Sequence, residues 1–280
     1  MAAEFRACGA VADAPIERAA DERPQWTARA YRAWLDAGVD ILLTPTCRLA
    51  ADCLADRIDR QDALGLARRH AERCRAAIAD STRREVRAYG VVGPVESLLV
   101  LEEARPQDLT DLYTELGLAL RDGGVDGVLC RGFSELEAIR LAVAAIRSAT
   151  GLPAIGAMSF DMGPERCEST LGVTPPQAYE TLSAAGAEMI GCDAAEDPDD
   201  VTGAVALLSK CGATEIWAGI SAGMAQWVDG AIVHPELPDG FSTRYETLVS
   251  AGASVIAGGG GVTAAHLSAM AAVRDRQVRK

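Results

Sequence analysis

Short apolar runs alternate with longer amphipathic stretches along most of the chain. The apolar runs are rich in valine, isoleucine and leucine, a composition typical of strands buried on both faces. Seven of these runs are predicted as strands: residues 39–44, 86–92, 125–130, 152–160, 188–192, 215–220 and 254–257. A weaker run, from Phe5 to Val11, is interpreted as a first strand. The pattern therefore predicts eight strands in all.

The stretches between the apolar runs carry apolar residues at helical spacing. Helices are predicted at residues 26–37, 48–85, 106–121, 134–149, 175–185, 198–210 and 241–251. Ser134 and Glu137 have the spacing of a capping box, and Thr174 stands where an N-cap is expected. His70 lies inside the second predicted helix and is interpreted as a surface or core-edge residue.

Strands that alternate with helices in this way indicate a parallel sheet. Eight such units predict a single (β/α)8 barrel, one domain over residues 1–280 in which residues 1–25 fit the pattern least well. A doubly wound open sheet is the alternative. In a barrel the chemistry lies on the loops that follow the strands. Those loops are residues 46–47, 93–96, 131–133, 159–161, 192–196, 221–224 and 258–263.

The last of these loops contains four consecutive glycines, Gly258 to Gly261. The turn follows an apolar run and precedes a helical segment for which Thr263 is the expected N-cap. A glycine turn before a helix N-terminus lets a ligand approach the backbone closely and suits an anion. The alternative interpretation is that the glycines are small residues left behind after an earlier site was lost.

Composition and charge exclude several classes of partner. The chain has 280 residues, of which 40 are acidic and 27 basic, and its net charge is −13. This balance argues against nucleic-acid or anionic-membrane partners. No run of about 18 apolar residues occurs, so no membrane span is expected. The N-terminus lacks a signal-peptide pattern, and the 8 cysteines form no Cys-x-x-Cys pair; both favour a cytoplasmic protein with reduced thiols.

Polar residues at the predicted strand ends are the candidate site residues. Asp161 and Asp193 are predicted as general acid or base. Arg131 is predicted to clamp a carboxylate, the alternative being a surface arginine paired with Glu135. The substrate-binding candidates are Arg131, Thr46, Ser159, Ser221, Gly259, Gly260 and Gly261.

The histidines and cysteines are weaker candidates. His234 lies in a long loop and His266 inside the last helix, where a structural role is favoured. Cys47 and Cys192 follow or end strands, but no histidine is placed by sequence to activate either thiol.

Several short motifs occur in a fixed order over some 240 residues. They are Ala30-Tyr31 with Ala37-Gly38-Val39-Asp40, Val92-Gly93-Pro94, Gly123 to Val128, Leu152-Pro153 with Ser159-Phe160, Gly186 to Ala194, Ser221-Ala222-Gly223, and Gly258 to Leu267. In this order and spacing the chain resembles the homocysteine S-methyltransferase family, from about Ala28 to Met270. The resemblance implies a (β/α)8 barrel and methyl transfer.

The residues that carry the family's chemistry are not present here. The resemblance implies a zinc ion held by three cysteines, and the matching positions are Ala194, Gly259 and Gly260. The family's acids, which help to hold the amino group of homocysteine, are replaced by the segment Leu43 to Thr46 and by Arg131-Gly132. We therefore expect no zinc, no methionine formation, and a pocket that attracts a carboxylate or phosphate.

The leading hypothesis is a zinc-independent methyltransferase with a carboxylate-bearing or non-thiol small-molecule substrate. The resemblance suggests methyltetrahydrofolate or a corrinoid as the methyl donor, and a corrinoid protein as a partner. One alternative is a non-catalytic barrel that binds a small anion or a partner protein. Another is a lyase or isomerase that reuses the barrel. Homo-oligomer formation is left open by the sequence.

Overall fold

The computed structural model describes residues 16–83, 85–95, 104–163, 165–193, 198–228 and 231–278. The predicted first strand, Phe5 to Val11, lies outside these ranges.

The strands follow the predicted order. They are β1 Ile41–Leu43, β2 Arg87–Val92, β3 Gly127–Phe133, β4 Ala154–Met158, β5 Met189–Cys192, β6 Ile216–Ile220, β7 Gln226–Val228, β8 Ala231–Val233 and β9 Val255–Gly258. The helices are α1 Ile16–Glu22, α2 Pro24–Ala37, α3 Leu49–Leu54, α4 Arg60–Ala79, α5 Pro106–Asp122, α6 Leu136–Thr150, α7 Pro175–Ala184, α8 Pro198–Lys210, α9 Pro238–Ala251 and α10 Ala264–Val278. None of these helices is long and apolar enough to cross a membrane.

Seven strands form one parallel sheet in the order β1-β2-β3-β4-β5-β6-β9. Each strand pairs with the next one along the chain, apart from the small hairpin β7-β8 that intervenes before β9. A doubly wound sheet reverses its strand order at a switch point. The sequential order therefore excludes the doubly wound alternative.

The two faces of the sheet have different coverings. One face packs against helices, and its core combines strand residues such as Val128 with helix residues such as Leu116 and Ile146. The other face is a separate cluster made of strand residues alone, including Tyr89 and Trp217. When the side chains on one face of a sheet pack against each other rather than against helices, the sheet is curled as in a barrel. In the described ranges β1 and β9 are not paired with each other, so the sheet is a half-barrel and closure is not shown.

Most element boundaries agree with the sequence pattern, and three predictions were wrong. The predicted helix 48–85 is two helices, because the chain turns at Asp56 with a φ of 51° and Asp59 caps α4 through the amide of Gln61. The N-cap of α6 is Glu135, not Ser134. His70 is fully buried rather than at the surface. The capping box at Thr174 is confirmed.

The predicted loop between β6 and α9 contains the antiparallel hairpin β7-β8. Its apolar side chains face solvent: Trp227 is 70% exposed and Val228 45%. We call residues 223–235 the hairpin segment. Because it follows β6, it lies at the end of the sheet where the predicted site residues are found.

Candidate functional site

Within the described ranges a groove of about 1010 Å³ runs along the edges of β1 and β9, where a closed barrel would have one further strand. Its walls are largely apolar and include Ile41, Leu43, Val255, Ala257 and Trp217. At the carboxyl end of the strands the lining becomes polar. The polar lining consists of Glu17, Thr44, Cys47, Arg48, Arg131 and the backbone of Gly258, Gly259 and Gly260.

Arg131 and Asp193 form a bidentate ion pair between β3 and the end of β5. The Arg131 Nη2 atom donates to Oδ1 of Asp193 at 2.7 Å, and Nε donates to Oδ2. The Asp193 side chain is 3% exposed and that of Arg131 23%. Burial lowers the pKa of Arg131, but the charge of Asp193 outweighs it and the pKa is raised overall. The guanidinium is therefore a fixed cation whose charge Asp193 offsets.

This pair answers one question that the sequence left open. The partner of Arg131 is Asp193, so the predicted general base already accepts two charge-assisted hydrogen bonds. Gly219 in β6 makes room for the carboxylate, since a Cβ there would lie 2.3 Å from Oδ1 of Asp193. Asp161 is exposed and follows β4. The catalytic roles of both acids stay predictions.

The threonines after β1 join this strand to β2. The Thr46 hydroxyl donates to the carbonyl of Val91 at 2.6 Å, and the Val91 amide donates to the Thr44 hydroxyl at 3.0 Å. The two hydroxyls are 2.7 Å apart, and both side chains are buried. Thr46 is thus part of the wall of the site. Its predicted contact with substrate stays a prediction.

Cys47 lies against Gly93, where a Cβ would be 2.6 Å from the Cys47 sulphur. Burial raises the pKa of its thiol to about 11, although the nearby charge of Arg131 acts in the opposite direction. A thiol with this pKa is almost entirely protonated at neutral pH. Cys47 is therefore unsuited to be a nucleophile, in agreement with the sequence analysis, which ranked it as a weak candidate.

Glu17 in α1 is a site residue that the sequence analysis did not single out. Its side chain is 4% exposed, and Oε1 accepts the backbone amide of Arg48 at 2.9 Å. The second oxygen, Oε2, is buried and has no hydrogen-bond partner among the residues that the structure describes. Burial raises the pKa of Glu17, more than the Arg48 amide lowers it. A buried carboxyl group therefore lies beside the polar end of the groove.

The glycine turn is closed on one side by the hairpin segment. Gly261 has a φ of 74°, and a Cβ there would lie 2.1 Å from Cγ of His234. The His234 ring donates from Nδ1 to the carbonyl of Gly223 at 2.9 Å. Close packing against this ring requires glycine at position 261. This structural reason is separate from both interpretations of the turn, an anion site and the remnant of a lost site.

His266 caps the helix that begins after the turn. Its Nδ1 accepts the Thr263 amide at 3.2 Å and the Thr263 hydroxyl at 2.8 Å, as in a capping box. Its Nε2 donates to the carbonyl of Glu236 at 2.9 Å. His266 therefore has the structural role that was favoured from sequence, and one amide at the start of α10 is already satisfied.

Replacing Gly261 with alanine is expected to lower the free energy of unfolding by about 1–2 kcal/mol, because alanine is strained at positive φ and its Cβ would displace the His234 ring. Gly260 is the matched control, since a Cβ there would meet His234 only at 3.4 Å. Urea denaturation of both variants measures the difference. Equal stability of the two alanine variants would contradict this account of the turn.

The remaining candidate residues lie around the same strand ends. The Ser159 amide donates to the carbonyl of Phe133 at 2.8 Å, and Ser221 is 5% exposed. In the turn, the Gly259 amide donates to the carbonyl of Ile220 at 2.6 Å and the Gly260 carbonyl accepts the amide of Ala222 at 2.8 Å. Part of the turn's backbone is therefore used to bind the end of β6. The substrate contacts of Ser159, Ser221 and the glycines stay predictions.

The residues present do not fit the zinc ion that the resemblance implies. Gly259 and Gly260 offer no side-chain ligand, and Ala194 lies outside the described ranges. Cys192 is 1% exposed, its thiol donates to the carbonyl of Val201, and burial raises its pKa. Among the residues that the structure describes, no group of three His, Cys, Asp or Glu side chains is arranged to hold a metal ion.

The sequential parallel sheet, with polar groups at its carboxyl edge, defines an α/β protein of the barrel type. The family model for homocysteine S-methyltransferase matches residues 3–274, so the chain belongs to this family. The resemblance drawn from sequence is thereby confirmed.

Relatives support the same assignment. Methionine synthase of Mycobacterium tuberculosis is 26% identical over 266 residues, and that of Mycobacterium leprae 24% over 261 residues. These matches cover 90% and 91% of this chain but 22% of each relative, so the chain spans about a fifth of their length.

Solved structures support the fold. The homocysteine methyltransferase MmuM from Escherichia coli, in its metallated form, has a TM-score of 0.80 at 18% identity, over 97% of this chain and 93% of that one. A methyltransferase from Methanosarcina mazei has a TM-score of 0.61 at 11% identity, over 91% and 86%.

Proposed function

We propose that the protein transfers a methyl group to a non-thiol acceptor without using zinc. Membership of the homocysteine S-methyltransferase family supports methyl transfer. The observation that carries the rest is the glycine turn, where Gly259 and Gly260 stand at the positions of two metal-binding cysteines. A thiol acceptor needs to be deprotonated, which zinc normally achieves by coordination. Without those ligands homocysteine has no evident means of activation here.

The proposed reaction balances without a metal. The acceptor's lone pair forms the new bond to the methyl carbon, and the bond between that carbon and the donor breaks with its electrons staying on the donor. A proton on the acceptor passes to a carboxylate. We propose methyltetrahydrofolate or a methylated corrinoid as the donor, the latter delivered by a corrinoid protein.

Three carboxylates are available for the proton. Asp193 is engaged by Arg131, Asp161 is exposed, and Glu17 is buried at the polar end of the groove. Burial raises the pKa of Glu17, which brings a carboxyl group closer to the range that suits a general base at neutral pH. Arg131 was predicted to attract a carboxylate, but Asp193 offsets its charge. A carboxylate-bearing acceptor therefore has less support than a non-thiol acceptor in general.

A single (β/α)8 barrel remains our proposal for the complete fold. Among the described residues the edges of β1 and β9 are unpaired, and closure requires one further strand between them. Phe5 to Val11, the segment predicted as a first strand, is our proposal for that strand.

Purified protein is expected to bind less than stoichiometric zinc and to form no methionine from homocysteine with methyltetrahydrofolate, S-methylmethionine, betaine or methylcobalamin. Metal analysis and methionine assay measure the two results. Methionine formation at useful turnover by the natural chain would overturn the proposal.

A variant with restored cysteines is the matched control. This triple variant carries Ala194→Cys, Gly259→Cys and Gly260→Cys. A Cβ added at Gly259 would lie 3.1 Å from the carbonyl oxygen of Ile220, and one at Gly260 would lie 3.4 Å from the His234 ring, so the turn accepts both side chains with small shifts. It is expected to gain about one zinc ion per chain. Zinc uptake by this variant alone would support the assignment of the lost ligands, and equal uptake by the natural chain would contradict it.

A further inference from the structure

The fold places the His234 ring beside the glycine turn. A Cβ at Gly261 would lie 2.1 Å from Cγ and 2.5 Å from Cδ2 of this ring, and a Cβ at Gly260 would lie 3.4 Å from Cε1. The same added Cβ at Gly260 would lie 3.9 Å from Cβ of Ser221. Since Nε2 is bonded to both Cδ2 and Cε1, it lies on the ring edge next to Ser221 and Gly260, two of the candidate substrate-binding residues.

The bond between His234 and Gly223 determines which ring nitrogen carries the proton. Nδ1 lies 2.9 Å from the carbonyl oxygen of Gly223. A carbonyl oxygen can only accept, so Nδ1 is the protonated nitrogen, and Nε2 of the neutral ring has a free lone pair. Among the residues that the structure describes, Nε2 has no hydrogen-bond partner. His234 therefore presents a hydrogen-bond acceptor beside the glycine turn.

The other two histidines of the chain have the opposite arrangement. Nδ1 of His266 accepts a backbone amide, and its Nε2 donates to the carbonyl of Glu236. In His70 it is again Nε2 that donates, to the carbonyl of Glu17 at 2.8 Å. Both of these rings are buried, whereas His234 is half-buried. His234 is thus the histidine whose Nε2 is left for a ligand.

The proposed methyl transfer needs a base, and the carboxylates near the site are poorly suited to that role. Asp193 accepts two hydrogen bonds from Arg131, and Oε1 of Glu17 accepts a backbone amide. Asp161 is exposed on the loop after β4. Histidine is the side chain that most often takes up a proton in enzymes. The free lone pair of His234 has the chemistry that this step requires.

We infer that Nε2 of His234 takes up the proton of the methyl acceptor, whose reacting group is a neutral O–H or N–H. Such a group has both the lone pair that attacks the methyl carbon and the proton that Nε2 accepts. A protonated amine lacks the lone pair, and a carboxylate lacks the proton.

The step balances with the proposed transfer. The acceptor's oxygen or nitrogen forms the bond to the methyl carbon, and the electrons of its O–H or N–H bond stay on it as the proton bonds to Nε2. The imidazolium then passes the proton on to a carboxylate or to water. This catalytic role rests on the proposed function. The binding of an O–H or N–H group at Nε2 does not, since no methyl donor is needed.

The proton positions can be measured in the natural chain, because it contains 3 histidines. Two-bond ¹H–¹⁵N spectra of histidine-labelled protein distinguish protonated from unprotonated ring nitrogens at about pH 8, where a histidine is ordinarily neutral. We expect a protonated Nδ1 in His234 and a protonated Nε2 in His70 and His266, which are the internal controls. A proton on Nε2 of His234 would overturn the inference.

Phenol and anisole test whether Nε2 is available to a ligand. They have the same aromatic body, but only phenol can donate a hydrogen bond. Titration of the labelled protein without methyl donor is expected to shift the Nε2 signal of His234 in a saturable way. Phenol is expected to bind about tenfold more tightly than anisole, the effect of one good hydrogen bond. Equal binding of the two probes, or no saturable shift with phenol, would overturn the inference.

His234→Asn separates the role of Nε2 from the structural role of the ring. The asparagine amide can still donate to the carbonyl of Gly223, but it has no atom in the place of Nε2. The folded variant is expected to lose the preference for phenol, measured through the amide signals of Gly260 and Gly261. Gln226→Asn, an exposed change in β7 of the same hairpin, is the control and is expected to retain it. A retained preference in folded His234→Asn would contradict the inference.

The outcomes distinguish this inference from the proposed function. Phenol bound at Nε2 but not methylated when methyltetrahydrofolate or methylcobalamin is added would support the hydrogen-bond role of His234 and contradict its role as a base. Methyl transfer at the natural rate in His234→Asn would also contradict the role as a base. Methionine formation by the natural chain would overturn the proposed function and leave the proton positions and the binding results unchanged.

Discussion

Replacing Arg131 with alanine is expected to lower the free energy of unfolding by about 3–5 kcal/mol, because it removes the guanidinium that is paired with a buried carboxylate. Asp193 is 3% exposed and accepts two hydrogen bonds from this guanidinium. Urea denaturation at neutral pH measures the loss. Activity with a methyl acceptor is expected to fall as well, since the pair joins the ends of β3 and β5 across the intervening strand β4.

A double-mutant cycle identifies the ion pair as the cause. Adding Asp193→Ala to Arg131→Ala is expected to restore part of the stability, because the buried negative charge is then removed together with its guanidinium. Arg140→Ala is the matched control. Arg140 pairs with Glu137 on the exposed face of α6 and its loss should cost less than about 1 kcal/mol. A loss of that small size for Arg131→Ala would contradict the importance of the buried pair.

Stability is expected to fall as the pH is lowered from about 6.5 to about 4, because His70 is buried as a neutral ring. Burial lowers the pKa of His70 to about 4, more than its bond to the Glu17 carbonyl raises it. Between these pH values the unfolded chain binds a proton on this residue and the folded chain does not. The stabilisation is therefore fully present above about pH 6.5 and is lost towards pH 4, by up to about 3 kcal/mol.

His70→Gln isolates this contribution, since other groups titrate in the same range. The neighbouring Asp21 has a pKa lowered by Arg69 and also favours the folded state at higher pH, while Glu17, with its raised pKa, acts in the opposite direction. Urea midpoints at pH 7 and pH 4.5 are expected to differ less in His70→Gln than in the natural protein. The same change at His234 is the control. An unchanged pH dependence in His70→Gln would contradict the prediction.

The sheet could be predicted from sequence because buried parallel strands are continuous apolar runs. The predicted strand 215–220, for example, differs by one residue from Ile216–Ile220. The break between α3 and α4 could not be predicted from sequence. It depends on the positive φ of Asp56, a conformation that aspartate tolerates but does not require. The hairpin was missed because its strands have three residues each, too few to show alternation.

The candidate site was predictable in part, because its residues follow the strands that the sequence pattern located. The rule that barrel chemistry follows the strands selected Arg131 and Asp193, which the fold brings together across 62 positions of sequence. Their pairing, and the space that Gly219 provides for it, depend on tertiary geometry. Glu17 was missed because its helix has a charged sequence that is typical of a solvated surface. Only the packing of α1 against the α3–α4 region buries this carboxyl group.

One residue, Ala222, holds both ends of the hairpin segment. Its carbonyl accepts the amide of Glu236, where the chain returns, and its own amide donates to Gly260 in the glycine turn. An insertion whose two ends meet at a single point can change in length without moving the strands around it. During evolution this end of the sheet can therefore be reshaped at residues 223–235 by insertion or deletion, while the strands that hold the candidate site stay in place.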